Sequence, residues 1–189
     1  MCIFKINRIA GIGLGAGTIS MYATNQCPVD FYELDPEVIH LARKYFSYLK
    51  LTPGEVNIFT GDARISLEKQ KSAFYDIFII DAFGGDSIPT HLVNSDVTAL
   101  YKEHLNSEGA IVFHIPNRYF DLKPILAHIA QDLSGYAAFK STPDDGLTMR
   151  TVWGIITWDE DKILQLESQG WQKLDANIHK VIHIFWRGH

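Results

Sequence analysis

Short apolar runs alternate along the first two thirds of the chain with segments whose apolar residues recur at helical spacing. Ile6 to Ile12, apolar around Asn7 and Arg8, runs straight into glycines and predicts a buried strand followed by a turn, with a helix over Thr18 to Asn25. Val29 to Leu34 predicts a second strand. Pro36 then opens a helix carrying Val38, Ile39, Leu41, Ala42, Tyr45 and Phe46 on its apolar positions. Val56 to Phe59 predicts a third strand leaving through Gly61-Asp62-Ala63, and Ala63 to Lys71 a short amphipathic helix. Tyr75 to Asp81 is almost continuously apolar, as a strand covered on both faces requires, and belongs at the centre of a sheet. A loop over Ala82 to Val93, a helix over Ser95 to Leu105, a strand over Ala110 to Ile115 and a helix over Leu122 to Leu133 follow, with Pro124 tolerated in the first turn.

Strands that alternate with helices need crossover connections, so the expected fold class is α/β, a doubly wound and mostly parallel sheet with helices on both faces. Beyond Gly135 the pattern weakens. Thr151 to Thr157 reads as a strand, Glu160 to Ser168 as a helix and Ile178 to Phe185 as a closing strand antiparallel to its neighbours, with an exposed turn at Pro143-Asp144-Asp145-Gly146. No internal repeat or linker divides the 189 residues, and one nucleoside-binding domain over residues 1–189 is expected.

Composition narrows the partners. A formal net charge of -5 supplies no general basic field for a phosphate backbone, so nucleic acid is not an expected partner. No apolar run has the length of a membrane span and no signal peptide opens the chain, which together with two cysteines outside any paired motif predicts a cytoplasmic protein. The first strand starts close to Met1, so either the protein has no N-terminal extension or this chain is part of a longer one. His179 and His183 have helical ligand spacing but sit in a segment that reads as strand, and no metal is expected.

The chemistry-bearing residues fall at strand ends: the loop Gly11-Ile12-Gly13-Leu14-Gly15-Ala16-Gly17, then Glu33, Asp62 and Asp81. Ligands of an open parallel sheet bind beyond those ends. The loop by itself fits two classes. Gly11-x-Gly13-x-x-Ala16 matches a dinucleotide fingerprint, and Gly13-x-Gly15-x-Gly17 the tighter loop of proteins that bind S-adenosylmethionine. The later acids favour the second: Glu33 suits ribose hydroxyls, Asp62 an adenine amino group with Ala63 leaving room for the ring, and Asp81 a neighbouring sulfonium cation.

Together with the glycine loop, Tyr32-Glu33-Leu34-Asp35-Pro36-Glu37-Val38-Ile39, Gly61-Asp62-Ala63-Arg64 and Tyr75-Asp76-Ile77-Phe78-Ile79-Ile80-Asp81 resemble the spermidine synthase family of aminopropyltransferases. Asp81-Ala82-Phe83-Gly84-Gly85-Asp86-Ser87-Ile88-Pro89 and His114-Ile115-Pro116-Asn117-Arg118-Tyr119 are closer to its bacterial spermidine-synthase-like branch. The likeness runs from about Ile9 to Ala130. It implies that Gly13, Gly15, Gly17, Glu33, Asp62, Ala63 and Asp81 hold S-adenosylmethionine, its decarboxylated form or methylthioadenosine. Asp81 would act as base or amine anchor, and Asp86 and His91 would meet the acceptor, a small polyamine or another amine. A homodimer is compatible with the resemblance.

Two departures stand out. The family places a second acid three residues after the first, where this chain has Gly84 and then Asp86, and the family's N-terminal β-rich domain is expected to be absent. Methyl transfer and a non-catalytic nucleoside-binding or assembly role are therefore the alternatives. His91 and His114 are further candidates for proton carriers, against a structural hydrogen-bonding role.

Overall fold

The computed structural model describes residues 3–70, 75–82, 92–115, 122–143 and 151–175. Eight strands form one sheet: β1 (Ile9–Ile12), β2 (Val29–Glu33), β3 (Val56–Thr60), β4 (Tyr75–Ile80), β5 (Leu105–Ile115), β6 (Tyr136–Thr142), β7 (Thr151–Thr157) and β8 (Gln172–Leu174). Their order is β3-β2-β1-β4-β5-β7-β6-β8. All pairings from β3 to β5 are parallel, whereas β7 pairs antiparallel to β5 and to β6, and β6 antiparallel to β8. The expected doubly wound, mostly parallel sheet with antiparallel strands towards the C-terminus is present, and β4 lies near its centre.

Helices α1 (Pro36–Tyr45), α2 (Tyr48–Leu51), α3 (Ala63–Lys69), α4 (Ser95–Glu103), α5 (Lys123–Asp132) and α6 (Glu160–Ser168) connect these strands. α1 starts where the sequence demands it: the Asp35 carboxylate accepts from the Glu37 amide at 2.8 Å, Pro36 supplies a preset first turn, and Arg43 and Lys44 face the carbonyl end. α3 begins on Asp62, whose Oδ1 accepts from the Arg64 amide at 2.8 Å. Alternate residues of the central strands feed opposite cores. Ala10, Ile12, Tyr32, Phe78, Ile80, Ile111 and Phe113 pack with residues of α3, α4 and α5, and Ile9, Val29 and Phe31 pack with Ile39 and Ala42 of α1. Each fully buried Ile or Phe removes enough apolar surface to contribute about 2 kcal/mol.

Several boundaries differ from expectation. The segment expected to be helical over 18–25 forms a 3₁₀ turn over Thr18–Tyr22, opened by Gly17 in the left-handed region rather than by a capping side chain. β5 starts at Leu105 instead of Ala110, because Leu105 pairs with Tyr75 before the register shifts between Tyr75 and Ile77. The sequence pattern predicts no strand at β6. Its Ala137 and Ala138 are both buried and give no alternation, and it exists by pairing with β7 and β8. The strand expected over Ile178 to Phe185 and the turn residues 144–146 lie outside the described residues.

A buried polar cluster ties the sheet together opposite α1. The Asp30 carboxylate, fully buried on β2, receives Arg8 Nη2 at 2.7 Å, the Tyr75 hydroxyl at 2.7 Å and Asn57 Nδ2 at 3.0 Å. The Tyr32 hydroxyl lies 2.9 Å from that of Tyr75 and donates to Gln70 Oε1 at 2.8 Å. Burial first, then the contacts with Tyr32 and Asp30, push the Tyr75 hydroxyl far above an ordinary phenol, so it remains a donor. Asp76 does the same for the N-terminal segment: it accepts from the Asn7 and Arg8 amides at 2.6 and 3.0 Å, and from Asn106.

Tyr75→Phe should lower unfolding free energy by about 2 kcal/mol, the worth of a hydrogen bond to a charged group, and Asp30→Ala by about 3 kcal/mol or more, in urea denaturation near neutral pH. A second expectation concerns α3. Arg64 holds the Asp62 carboxyl below its ordinary range, chiefly through side-chain hydrogen bonds, so this cap stabilises above the ordinary carboxylate range and is lost as pH falls through the depressed value. Carboxyl-carbon NMR should find the Asp62 titration displaced upward in Arg64→Ala.

Candidate active site

Strand order reverses at β1, which has β2 on one side and β4 on the other. In an open α/β sheet that reversal opens a crevice beyond the carboxyl ends. Register decides what meets there. Ile12 lies opposite Tyr32 and Ile80, Glu33 opposite Thr60, and Ile80 opposite Phe113. One residue further on, Glu33, Gly13, Asp81 and His114 form a row across the sheet edge, and His114 is itself opposite Trp153 of β7.

The glycine loop is bound to that row by its backbone. The Gly13 amide donates to the Tyr32 carbonyl at 2.9 Å, the Asp81 amide to the Ile12 carbonyl at 2.9 Å, and the Gly17 amide to the Leu14 carbonyl at 2.8 Å. Gly13, Gly15 and Gly17 have φ of 94°, 52° and 86°. Gly13 is needed for two reasons: its left-handed backbone, and a Cβ that would fall 2.6 Å from the Asp81 carbonyl oxygen. Gly15 is different. Nothing lies within 4 Å of where its Cβ would stand, and the same is true of Gly61 beside Asp62. Two backbone positions at this edge therefore face open space.

The three acids expected to serve a ligand have unlike surroundings. Glu33 is 8% exposed; its Oε2 accepts from the Leu14 amide at 2.8 Å and Oε1 from the Asp35 amide at 2.9 Å. Each carboxylate oxygen has a second lone pair, so both amides can be kept while hydroxyls are accepted. Asp62 caps α3 and pairs with Arg64, Nη2 to Oδ2 at 3.1 Å. Ala63 is buried in the main core with Leu67. Asp81 receives His114 instead: Nδ1 lies 2.8 Å from Oδ1, and the imidazole stacks on the Trp153 indole with centroids 4.6 Å apart and planes 20° apart.

Asp86 and His91 lie outside the described residues. Two further residues take positions that periodicity could not single out. Trp153 reaches the site only through the antiparallel pairing of β5 and β7. Tyr101 of α4 has a buried hydroxyl without a hydrogen-bond partner among the described residues, raised above an ordinary phenol by burial and then by the Asp62 charge. Among the described residues no group of three or more His, Cys, Asp or Glu is arranged to hold a metal ion, and no helix is long and apolar enough to cross a membrane.

No family model matches the chain. A polyamine aminopropyltransferase of Vibrio vulnificus is 34% identical over 113 residues, which span 57% of this chain and 37% of that protein. The chain thus spans little more than a third of the length of this relative. A spermidine synthase in complex with the transition state analogue AdoDATO superimposes with a TM-score of 0.66 at 18% identity, covering 86% of this chain and 58% of that one. Human methyltransferase-like protein 13 in complex with SAH gives a TM-score of 0.62 at 14% identity, covering 87% and 80%. In sequence the chain is thus similar to a stretch of a polyamine aminopropyltransferase, and its fold is the Rossmann-type α/β fold shared by spermidine synthases and methyltransferase-like proteins.

Proposed function

We propose that the edge row formed by Glu33, Gly13 and Asp81 binds S-adenosylmethionine, decarboxylated S-adenosylmethionine or methylthioadenosine, and that the chain transfers an aminopropyl group to a small polyamine. The observation that carries this reading is the Glu33 carboxylate, held by the Leu14 and Asp35 amides beside a glycine loop that faces open space at Gly15. Such a carboxylate is preorganised to accept two vicinal ribose hydroxyls without a rearrangement of its own.

Asp62, next to the open backbone at Gly61, would accept from the adenine amino group, with Ala63 at the ring. Its Oδ1 accepts from the Arg64 amide and from Arg64 Nε, while Oδ2 accepts only from Arg64 Nη2 and keeps a lone pair. Asp81 would stand at the reacting centre, where an anion stabilises a sulfonium and anchors a protonated amine. Asp86 and His91, in the loop that follows, are the residues we assign to the acceptor. The AdoDATO-bound spermidine synthase of the same fold and the sequence relative among aminopropyltransferases support this reading.

Methyl transfer is the second reading, favoured by the SAH-bound methyltransferase-like neighbour. The two differ in the donor: a methyl donor keeps its carboxylate, whereas the decarboxylated donor presents an amine that prefers an acid.

Calorimetric titration with the two sulfonium compounds and methylthioadenosine, paired with an amine-acceptor assay, separates these outcomes. Tighter binding of decarboxylated S-adenosylmethionine and product formation from putrescine are expected. Binding of dinucleotides with none of the three nucleosides would sink the reading. Gly15→Val should weaken nucleoside binding by about tenfold or more, because its side chain enters the open space, while the left-handed backbone costs about 1 kcal/mol in stability. Asp81→Asn should retain methylthioadenosine binding and lose turnover by about a hundredfold.

A further inference from the structure

Tyr101 lies on the buried face of α4, and packing alone does not account for its hydroxyl. The ring stacks on Phe78 with centroids 5.1 Å apart and joins the cluster that holds Ala63, Leu67, Leu92 and Val93, contacts that a phenylalanine would make equally well. The side chain is fully buried, and its hydroxyl has no hydrogen-bond partner among the described residues. Thr98, one turn earlier on the same face, is also fully buried with an unpartnered hydroxyl. A hydroxyl withdrawn from water without an acceptor costs free energy, and a ligand that brings the acceptor recovers it.

Helix register shows where the Tyr101 hydroxyl goes. α3 follows β3 and α4 follows β4, and these strands run the same way in the parallel part of the sheet, so the two helices are parallel as well. His104 Nε2 lies 3.1 Å from the Leu67 carbonyl oxygen and sets these two residues at one level. Counting back at about 1.5 Å per residue, Tyr101 stands beside the first turn of α3, which Asp62 caps. Helical side chains slant towards the N-terminus, so the phenol carries its hydroxyl further towards Asp62. Both groups of that turn act on it: burial first and then the Asp62 charge raise the hydroxyl above an ordinary phenol, against an opposite effect of Arg64. It therefore remains a neutral donor. Next to Asp62, the backbone at Gly61 faces open space, with nothing within 4 Å of where a Cβ would stand.

We propose that Tyr101 is a base-recognition residue of the nucleoside site, its hydroxyl donating to a ring nitrogen beside the amino group that Asp62 accepts. This assignment rests on the nucleoside-binding reading and does not depend on which group is transferred. Adenine presents amino hydrogens and a ring lone pair side by side, and a carboxylate next to a phenol hydroxyl is the matching acceptor and donor. A base with a carbonyl in place of the amino group would set lone pairs against the Asp62 carboxylate and be rejected. The hydroxyl lies beneath the surface, so a base gains it through a small displacement of the side chains above it. The hydrogen bond then formed supplies the acceptor that the phenol lacks, and selection is strengthened by a donor that no other described group satisfies.

Calorimetric titration of the full chain and of Tyr101→Phe tests this, with methylthioadenosine and its 1-deaza and 7-deaza analogues, in each of which a CH group replaces one ring nitrogen beside the amino group. The wild type should bind one of the two analogues about tenfold more weakly than methylthioadenosine. Tyr101→Phe should bind methylthioadenosine about tenfold more weakly than the wild type does and no longer distinguish that analogue, because the missing hydroxyl and the missing nitrogen remove the same hydrogen bond. The urea midpoint of the protein without nucleoside should not fall in Tyr101→Phe, since the hydroxyl has no acceptor to lose there. A purely structural hydroxyl would give the reverse, a lowered midpoint with binding intact. Wild-type affinity in Tyr101→Phe overturns the proposal, and so does a loss of equal size for all three ligands. A wild type that binds none of the three sinks the nucleoside-binding reading itself, an outcome distinct from a Tyr101→Phe variant that binds methylthioadenosine normally.

Discussion

β1 has only four residues, yet both of its edges are paired in register and its exit governs the geometry of everything beyond the sheet. Gly13 leaves that strand with no room for a side chain, pressed against the carbonyl oxygen of Asp81. The glycine loop therefore lies directly on the exit of β4, and the distance from loop to Asp81 is set by backbone contact rather than by adaptable side chains. Glu33 completes the arrangement from β2 by accepting the Leu14 amide. Three strands are thereby locked at their ends, and a ligand that spans them meets a surface already in place.

The acids along this edge are chemically alike but differently partnered. Glu33 is buried against backbone amides, Asp62 is engaged with the first turn of α3 and with Arg64, and Asp81 is half open beside an imidazole. Amides leave a carboxylate lone pairs to accept further hydroxyls, whereas at Asp81 an imidazole occupies one of the oxygens. One residue type thus meets three different environments along a single edge. The polar cluster around Asp30 lies on the same strand as Glu33, three residues earlier, and anchors β2 through Arg8, Tyr75 and Asn57. Stability and site share a strand, but they draw on separate carboxylates.

Much of the fold was legible because its central strands carry their own signal. The run at Tyr75 to Ile80, apolar except for Asp76, reads as a strand covered on both sides, and Asp35-Pro36 announces α1 with a cap and a preset first turn. β6 carried no such mark. Its buried alanines are too small to advertise a face, and Gly154 on β7 is a glycine because Leu126 of α5 packs directly against it. The 3₁₀ turn after the glycine loop misled for a related reason: Thr18 to Asn25 has helical composition, but the left-handed Gly17 sets the chain into a tighter turn.

From the sequence alone came the acids, the glycines and the strand ends on which they sit, since these depend on local composition and periodicity. His114 was visible there only as one of two histidines near the crevice, and Trp153 as one aromatic among several. Their conjunction with Asp81 was decided by tertiary structure, because it arises from the parallel pairing of β4 with β5 and the antiparallel insertion of β7 beside β5. Residues 81, 114 and 153 are far apart in the chain, and no periodicity links them. Only strand order and register bring a carboxylate, an imidazole and an indole into one row.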